Sequence, residues 1–154
     1  MPTTGAPGNI WYPDANSPVA PLENLFLQQA TSVNIAIDAV TNADSGNITI
    51  SESALFDSNA EVRKIGKDTK AGGGEFKPKA SGTIGGSLVT MGSIPSDLAP
   101  EVTIFFIPGN TISAVLDGRI GTDGAIQIRY LGGGTVSYTT SSQISIGGLS
   151  WWSD

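Results

Sequence analysis

Neither cysteine nor histidine occurs in the chain. Without them a disulfide, a Cys–His pair or a Ser–His–Asp triad cannot be built from its residues. A zinc site would have to rest on carboxylates alone, which is rare. Charge is scarce too. Only 14% of the 154 residues are Asp, Glu, Lys or Arg, against about 25% in an ordinary soluble domain. The balance is negative, at −6, so there is no surplus of Lys and Arg to neutralise nucleic-acid phosphates. No apolar run reaches the roughly 18–20 residues that cross a bilayer. The opening "MPTTGAPGNIWYPDANSP" has no basic start and no apolar core of a signal peptide. We therefore expect no membrane insertion, no nucleic acid, no metal and no cofactor.

What the chain does have is small residues. Glycine numbers 20, and Ser and Thr are plentiful, beside a hydrophobic fraction of 39%. That mixture suits sheets, turns and packed subunits. A protomer showing so little charge is expected to hide surface in an oligomer.

Residues 1–21 contain Pro2, Pro7, Pro13, Pro18 and Pro21. Such density favours extended chain over helix. Trp11, Tyr12 and Pro13 stand in this arm without a local core, so they are expected to dock on another chain. Residues 22–45 form a helical unit, with the helix itself over 22–41. Pro21 suits the first helical turn, and Glu23 suits the positive N-terminal end. Leu22, Phe26, Gln29, Val33, Ala36 and Val40 recur at alternating steps of four and three, which makes a heptad seam. Leu25, Ile35 and Ile37 widen it. An isolated helix of this length is marginal in water, so the seam is expected to meet copies of itself or a partner. The competing reading lays the helix on the chain's own β-domain.

Residues 46–79 read as one short strand, "NITISESALFD", followed by a linker. Six of the eight basic residues lie between Arg63 and Lys79. Glu61, Asp68 and Glu75 are interspersed, so the cluster reads as a solvated face rather than an anion site. "KAGGGEF" is no phosphate-binding loop, because its lysine precedes the glycines and no helix follows.

From residue 80 to 154 the pattern is β throughout. "SGTIGGSLVTM", "EVTIFFIP", "TISAVLDGRI", "GAIQIRY", "GTVSYTT" and "QISIGGLSWW" are parted by turn residues. Short strands at this spacing predict an antiparallel sandwich. "EVTIFFIP" is apolar enough to predict burial on both faces for part of its length.

The acids weighed in this part are Asp97, Glu101, Asp117 and Asp123. Asp117-Gly118 and Asp123-Gly124 both read as turn dipeptides. Solvated turn carboxylates make a poor glycosidase pair, and Thr122-Asp123-Gly124 is too little of a calcium loop. "GRIGTDGAIQI" is thus a hairpin, with Ile120, Ile126 and Ile128 facing inward. Tyr130, Tyr138, Trp151 and Trp152 are the candidates for a receptor or sugar surface. Trp151 and Trp152 point to opposite faces if both lie in a strand, so one belongs to the core or an interface and the other is exposed.

The order of three segments resembles the C-terminal head domains of small minor tail proteins and tail fibres of tailed bacteriophages. They are "GSIPSDLAPEVTIFFIPG", "AVLDGRIGTDGAIQIRY" and "QISIGGLSWW". "WYPDANSPVAPLENLFLQQATSVNIAID" is similar to the proline-rich arm and helix that begin minor tail proteins of actinobacteriophages. Leu98-Ala99-Pro100 departs from the Tyr-Arg-Pro-like opening common in the heads. The resemblance implies a non-enzymatic homotrimer on the virion, held to other virion proteins by its arm. The expected fold is mainly β, a jelly-roll-like antiparallel sandwich that contacts a host cell-surface glycan or is purely structural. A head fibre or capsid decoration protein follows the same plan on another platform. A stand-alone carbohydrate-binding module is the alternative outside the structural class.

Overall fold

The computed structural model describes residues 22–41 and 43–153. The chain divides into two units, Met1–Ala43 and Asp44–Asp154. The first holds helix α1 (Leu22–Thr41). On it Phe26, Leu27, Val33 and Ile35 are exposed. Thr31 and Ser32 turn their hydroxyls back onto the carbonyls of Leu27 and Gln28, at 2.8 and 2.9 Å. The side chains of Leu22, Ala36 and Val40, and the whole Trp11–Tyr12–Pro13 arm, lie outside the described residues.

The second unit is a β-sandwich. It opens with β1 (Ile48–Thr49), β2 (Ser51–Glu52), β3 (Phe56–Ser58), β4 (Glu61–Ile65), β5 (Asp68–Ala71) and β6 (Phe76–Pro78). Next come β7 (Gly82–Ile84), β8 (Val89–Ser93), a 3-10 turn at Ser96–Leu98, β9 (Ile104–Phe106) and β10 (Gly109–Asn110). It closes with β11 (Leu116–Ile120), β12 (Ala125–Tyr130), β13 (Val136–Tyr138), β14 (Ile144–Ser145) and β15 (Ser150–Trp152). Every pairing is antiparallel. One sheet runs β1-β4-β5-β15, another β10-β14-β6-β3, a third β2-β8-β12-β11-β9, and β13 pairs with β7.

Alternation builds a single core from all of them. Phe56, Val62, Phe76, Ile84, Met91, Leu116, Ile120, Ile126, Ile128 and Ile144 are fully buried. Each large apolar side chain so placed contributes about 1.5–3 kcal/mol. Phe56 meets Tyr138 with ring centroids 5.8 Å apart, joining β3 to β13. A Cβ on Gly92 would overlap the Ser51 carbonyl oxygen and lie 2.9 Å from the Phe76 ring, so this position of β8 fits only glycine.

Residues 46–79 are not a linker. They supply β1 to β6, and Val62, Thr69, Ala71, Phe76 and Pro78 are buried there. The basic residues conceal this alternation because they occupy its outward half. Arg63, Lys70 and Lys77 are exposed, and four of the six basic residues pair with acids, two of them within the stretch and two upstream of it. Lys70 pairs with Asp68 at 3.2 Å, Lys77 with Glu75 at 2.8 Å and Lys79 with Glu52 at 3.1 Å. The cluster is the solvated face expected.

Four further expectations change. "EVTIFFIP" yields only β9, an edge strand, with Phe105 66% exposed and Val102 and Ile107 more so. Phe105 faces outward between the half-buried Ile104 and Phe106, so burial on both faces fails. Asp117-Gly118 is no turn but the middle of β11. "SGTIGGSLVTM" breaks at its glycines into β7 and β8, which join different sheets. "QISIGGLSWW" breaks likewise into β14 and β15, with Gly148 at φ 86° between them.

Candidate functional site

The hairpin "GRIGTDGAIQI" is as expected. Ile120 pairs with Ile126, and Gly121 and Gly124 carry the turn's backbone bonds, both at 2.9 Å. Asp123 Oδ1 accepts from the Ala125 amide at 3.1 Å, so this carboxylate serves the turn. Ile120, Ile126 and Ile128 are buried.

The outward residues of the same strands form a polar ladder. Arg119 stands between Phe105 on β9 and Gln127 on β12. Its Nε donates to Gln127 Oε1 at 2.8 Å, and Gln127 Nε2 donates to Thr90 Oγ1 at 3.1 Å. One rung along, Arg129 Nε donates to Asp117 Oδ2 at 2.7 Å. This pair is only partly exposed, which holds the carboxylate in one orientation.

Beside Asp117 the surface opens into a cleft of about 440 Å³. Ile107, Val115 and Leu131 form apolar walls, Tyr130 an aromatic one and Asp117 the charged rim. The three aliphatic side chains are exposed. A Cβ on Gly132 would overlap the Tyr130 hydroxyl, so the glycine run after β12 gives that ring its place. An apolar hollow of this size with a few fixed polar groups is the usual form of a small-ligand site. A sugar ring can lay its C–H face on Tyr130 and offer a hydroxyl to Asp117. Asp117 is the one carboxylate among the described residues that line the cleft.

The four aromatic candidates separate. Tyr130 lines the cleft and Trp152 is 71% exposed. Tyr138 and Trp151 are buried and drop out of any receptor surface. Tyr138 is buried because it packs on Phe56, and Trp151 is the member of the tryptophan pair that meets the core. The Trp151–Trp152 alternation is as expected. Sequence reasoning missed Ile107, Val115, Leu131 and the Asp117–Arg129 pair. Only the apolar run "AVL" before Asp117 hinted that one residue there had to face outward.

Among the described residues no group of three or more His, Cys, Asp and Glu is placed to hold a metal, and no helix is long and apolar enough to cross a membrane. No protein-family model matches the chain, and no curated protein matches it in sequence. In structure it is similar to the receptor binding protein (gp15) of Listeria phage PSA. The TM-score is 0.51 at 13% identity, over 84% of this chain and 82% of that one. The chain therefore shares its fold with a phage receptor-binding protein.

Proposed function

We propose that the chain is a non-enzymatic virion component that binds the host surface, a minor tail, fibre or spike protein. The likeness in fold to a phage receptor-binding protein, across most of both chains, is the observation that carries this reading. The exposed cleft at Tyr130 and Asp117, with Trp152 elsewhere on the β-unit, supplies surface suited to a glycan. In this reading the Trp11–Tyr12–Pro13 arm grips other virion proteins. The seam of Leu22, Phe26, Gln29, Val33, Ala36 and Val40 brings three chains together.

The test is adsorption. Purified full-length chain, added to cells sensitive to the particle that carries it, is expected to reduce adsorption of that particle. Immunogold labelling is expected at the tail. Adsorption unaffected by saturating chain, with no label on the particle, overturns the proposal.

A further inference from the structure

A second hollow has a different chemistry. It lies where β10, β14 and β6 meet, and it encloses about 200 Å³. Glu75, Asn110, Thr111, Gln143 and Ser145 line it over a bare backbone at Gly109. Among the described residues that line it, none carries an aliphatic or aromatic side chain.

Strand pairing builds this cluster. Thr111 follows β10 and Gln143 precedes β14. The Thr111 amide donates to the Gln143 carbonyl at 3.0 Å, and the Gln143 amide donates to Thr111 Oγ1 at 2.9 Å. Glu75 precedes β6, and its Oε1 accepts from Gln143 Nε2 at 3.1 Å and from Lys77 Nζ at 2.8 Å. Both donors use the same oxygen, which leaves Oε2 open. The Gln143 amide nitrogen is committed to Glu75, which leaves Gln143 Oε1 open as well.

Asn110 forms part of the wall without offering an acceptor. Its Nδ2 donates to the carbonyls of Pro108 and Ala114, at 3.3 and 3.4 Å. Two carbonyl partners fix which end of the amide is nitrogen. Its Oδ1 is buried and has no hydrogen-bond partner. That oxygen is closed off from the surface, so it is not among the groups a ligand in the cleft meets.

An acceptor-rich hollow calls for a ligand that brings protons. Anions are excluded by chemistry. Calcium demands six to eight oxygens and usually several carboxylates, whereas the single carboxylate here is already paired with Lys77. Hydroxyls of a neutral sugar meet the requirement, donating to Glu75 Oε2 and Gln143 Oε1 and accepting from the Thr111 hydroxyl, whereas the Ser145 hydroxyl is already donated to the Gly74 carbonyl at 3.2 Å. The volume is below the roughly 300–1,000 Å³ of sites for larger ligands, which selects one residue rather than a chain.

We infer that this polar cleft is a binding subsite for a single neutral sugar residue, held by Glu75, Thr111 and Gln143. The inference gives a ligand class to the surface-binding reading and rests on it for its biological setting alone.

Amide spectra of the full chain, titrated with methyl β-glucoside, methyl β-galactoside and N-acetylglucosamine, test it. Saturable shifts at Thr111, Gln143 and Ser145 are expected with at least one of them, in the millimolar range of a lone sugar. Gln143→Met keeps the side chain's length and is expected to weaken that titration about tenfold, with the rest of the spectrum unchanged. Shifts confined to Tyr130 and Leu131, shifts with calcium chloride and no sugar, no saturable shift at all, or undiminished affinity in Gln143→Met each overturn it. Adsorption competition separates the two proposals. Competition without sugar shifts defeats the subsite alone, and sugar shifts without competition defeat the virion reading alone.

Discussion

The indole nitrogen of Trp151 donates to the carbonyl oxygen of Leu98 across 2.8 Å of buried interior. That bond ties the last strand to the 3-10 turn at Ser96–Leu98. Next to it, Thr69 and Ser153 share a buried hydroxyl bond of 2.6 Å. Trp151→Phe removes the donor and orphans the carbonyl, at a cost of about 1–3 kcal/mol. Trp152 is 71% exposed, so Trp152→Ala is expected to stay within about 0.5 kcal/mol. Urea unfolding of the two variants checks the contrast. Equal midpoints mean that the Leu98 bond contributes nothing.

The turn of the β11–β12 hairpin depends on one glycine. Gly124 sits at φ 79°, and a Cβ there would overlap the Ile94 carbonyl oxygen. Gly124→Ala combines backbone strain with that overlap and is expected to cost at least about 1–3 kcal/mol. Asp123→Ala loses only the bond to the Ala125 amide, a net change of about 0.5–1.5 kcal/mol at most. Thermal unfolding is expected to rank Gly124→Ala well below Asp123→Ala.

The strands between residues 80 and 154 were legible because inward isoleucines alternate with polar partners around obvious turns. Ile120, Ile126 and Ile128 carry that signal. Strands between 58 and 79 were not legible because Val62 and Phe76 are separated on the inward half by Thr69 and Ala71, with Pro78 beyond them, which no hydrophobicity pattern marks. Tyr138 and Trp151 show another limit. An aromatic late in a β-chain looks the same in sequence whether its ring meets Phe56 or solvent. The clefts depend on which loops converge. Glu75 and Gln143 are 68 positions apart, and only the pairing of β6 with β14 brings them together.

Asp44 and Arg63 form an exposed two-point ion pair at the start of the β-unit, with Arg63 Nε donating to Asp44 Oδ1 at 2.9 Å. The guanidinium hydrogen bond, helped by the Gly46 amide, lowers the Asp44 carboxyl from its ordinary 3.8 to about 2. A carboxyl depressed in the folded state favours folding above its unfolded value. That contribution is lost as pH falls from 3.8 towards 2. Carbon-detected titration should place Asp44 near the lower value, and Arg63→Gln should return it towards the upper one. Added salt should narrow the difference, since both groups are exposed. An Asp44 carboxyl that titrates at its ordinary value in the parent chain refutes the pairing.

The last expected outcome concerns assembly. Phe26 is 63% and Val33 42% exposed on α1, and these are two apolar positions of the proposed heptad seam. A 20-residue helix has little stability in water without a partner. Three such seams together can bury what one cannot. Sedimentation equilibrium of the full chain is expected to give three times the 15.8 kDa protomer mass. Phe26→Asp with Val33→Asp places charges in the seam and is expected to return the protomer mass and lower helical ellipticity. The near-ultraviolet signal of the buried Trp151 should persist, because the β-unit has its own core. A parent chain sedimenting at the protomer mass overturns the seam. A charged variant that keeps the threefold mass moves the contact to the exposed apolar residues Phe105, Ile107, Val115 and Leu131 of the β-unit.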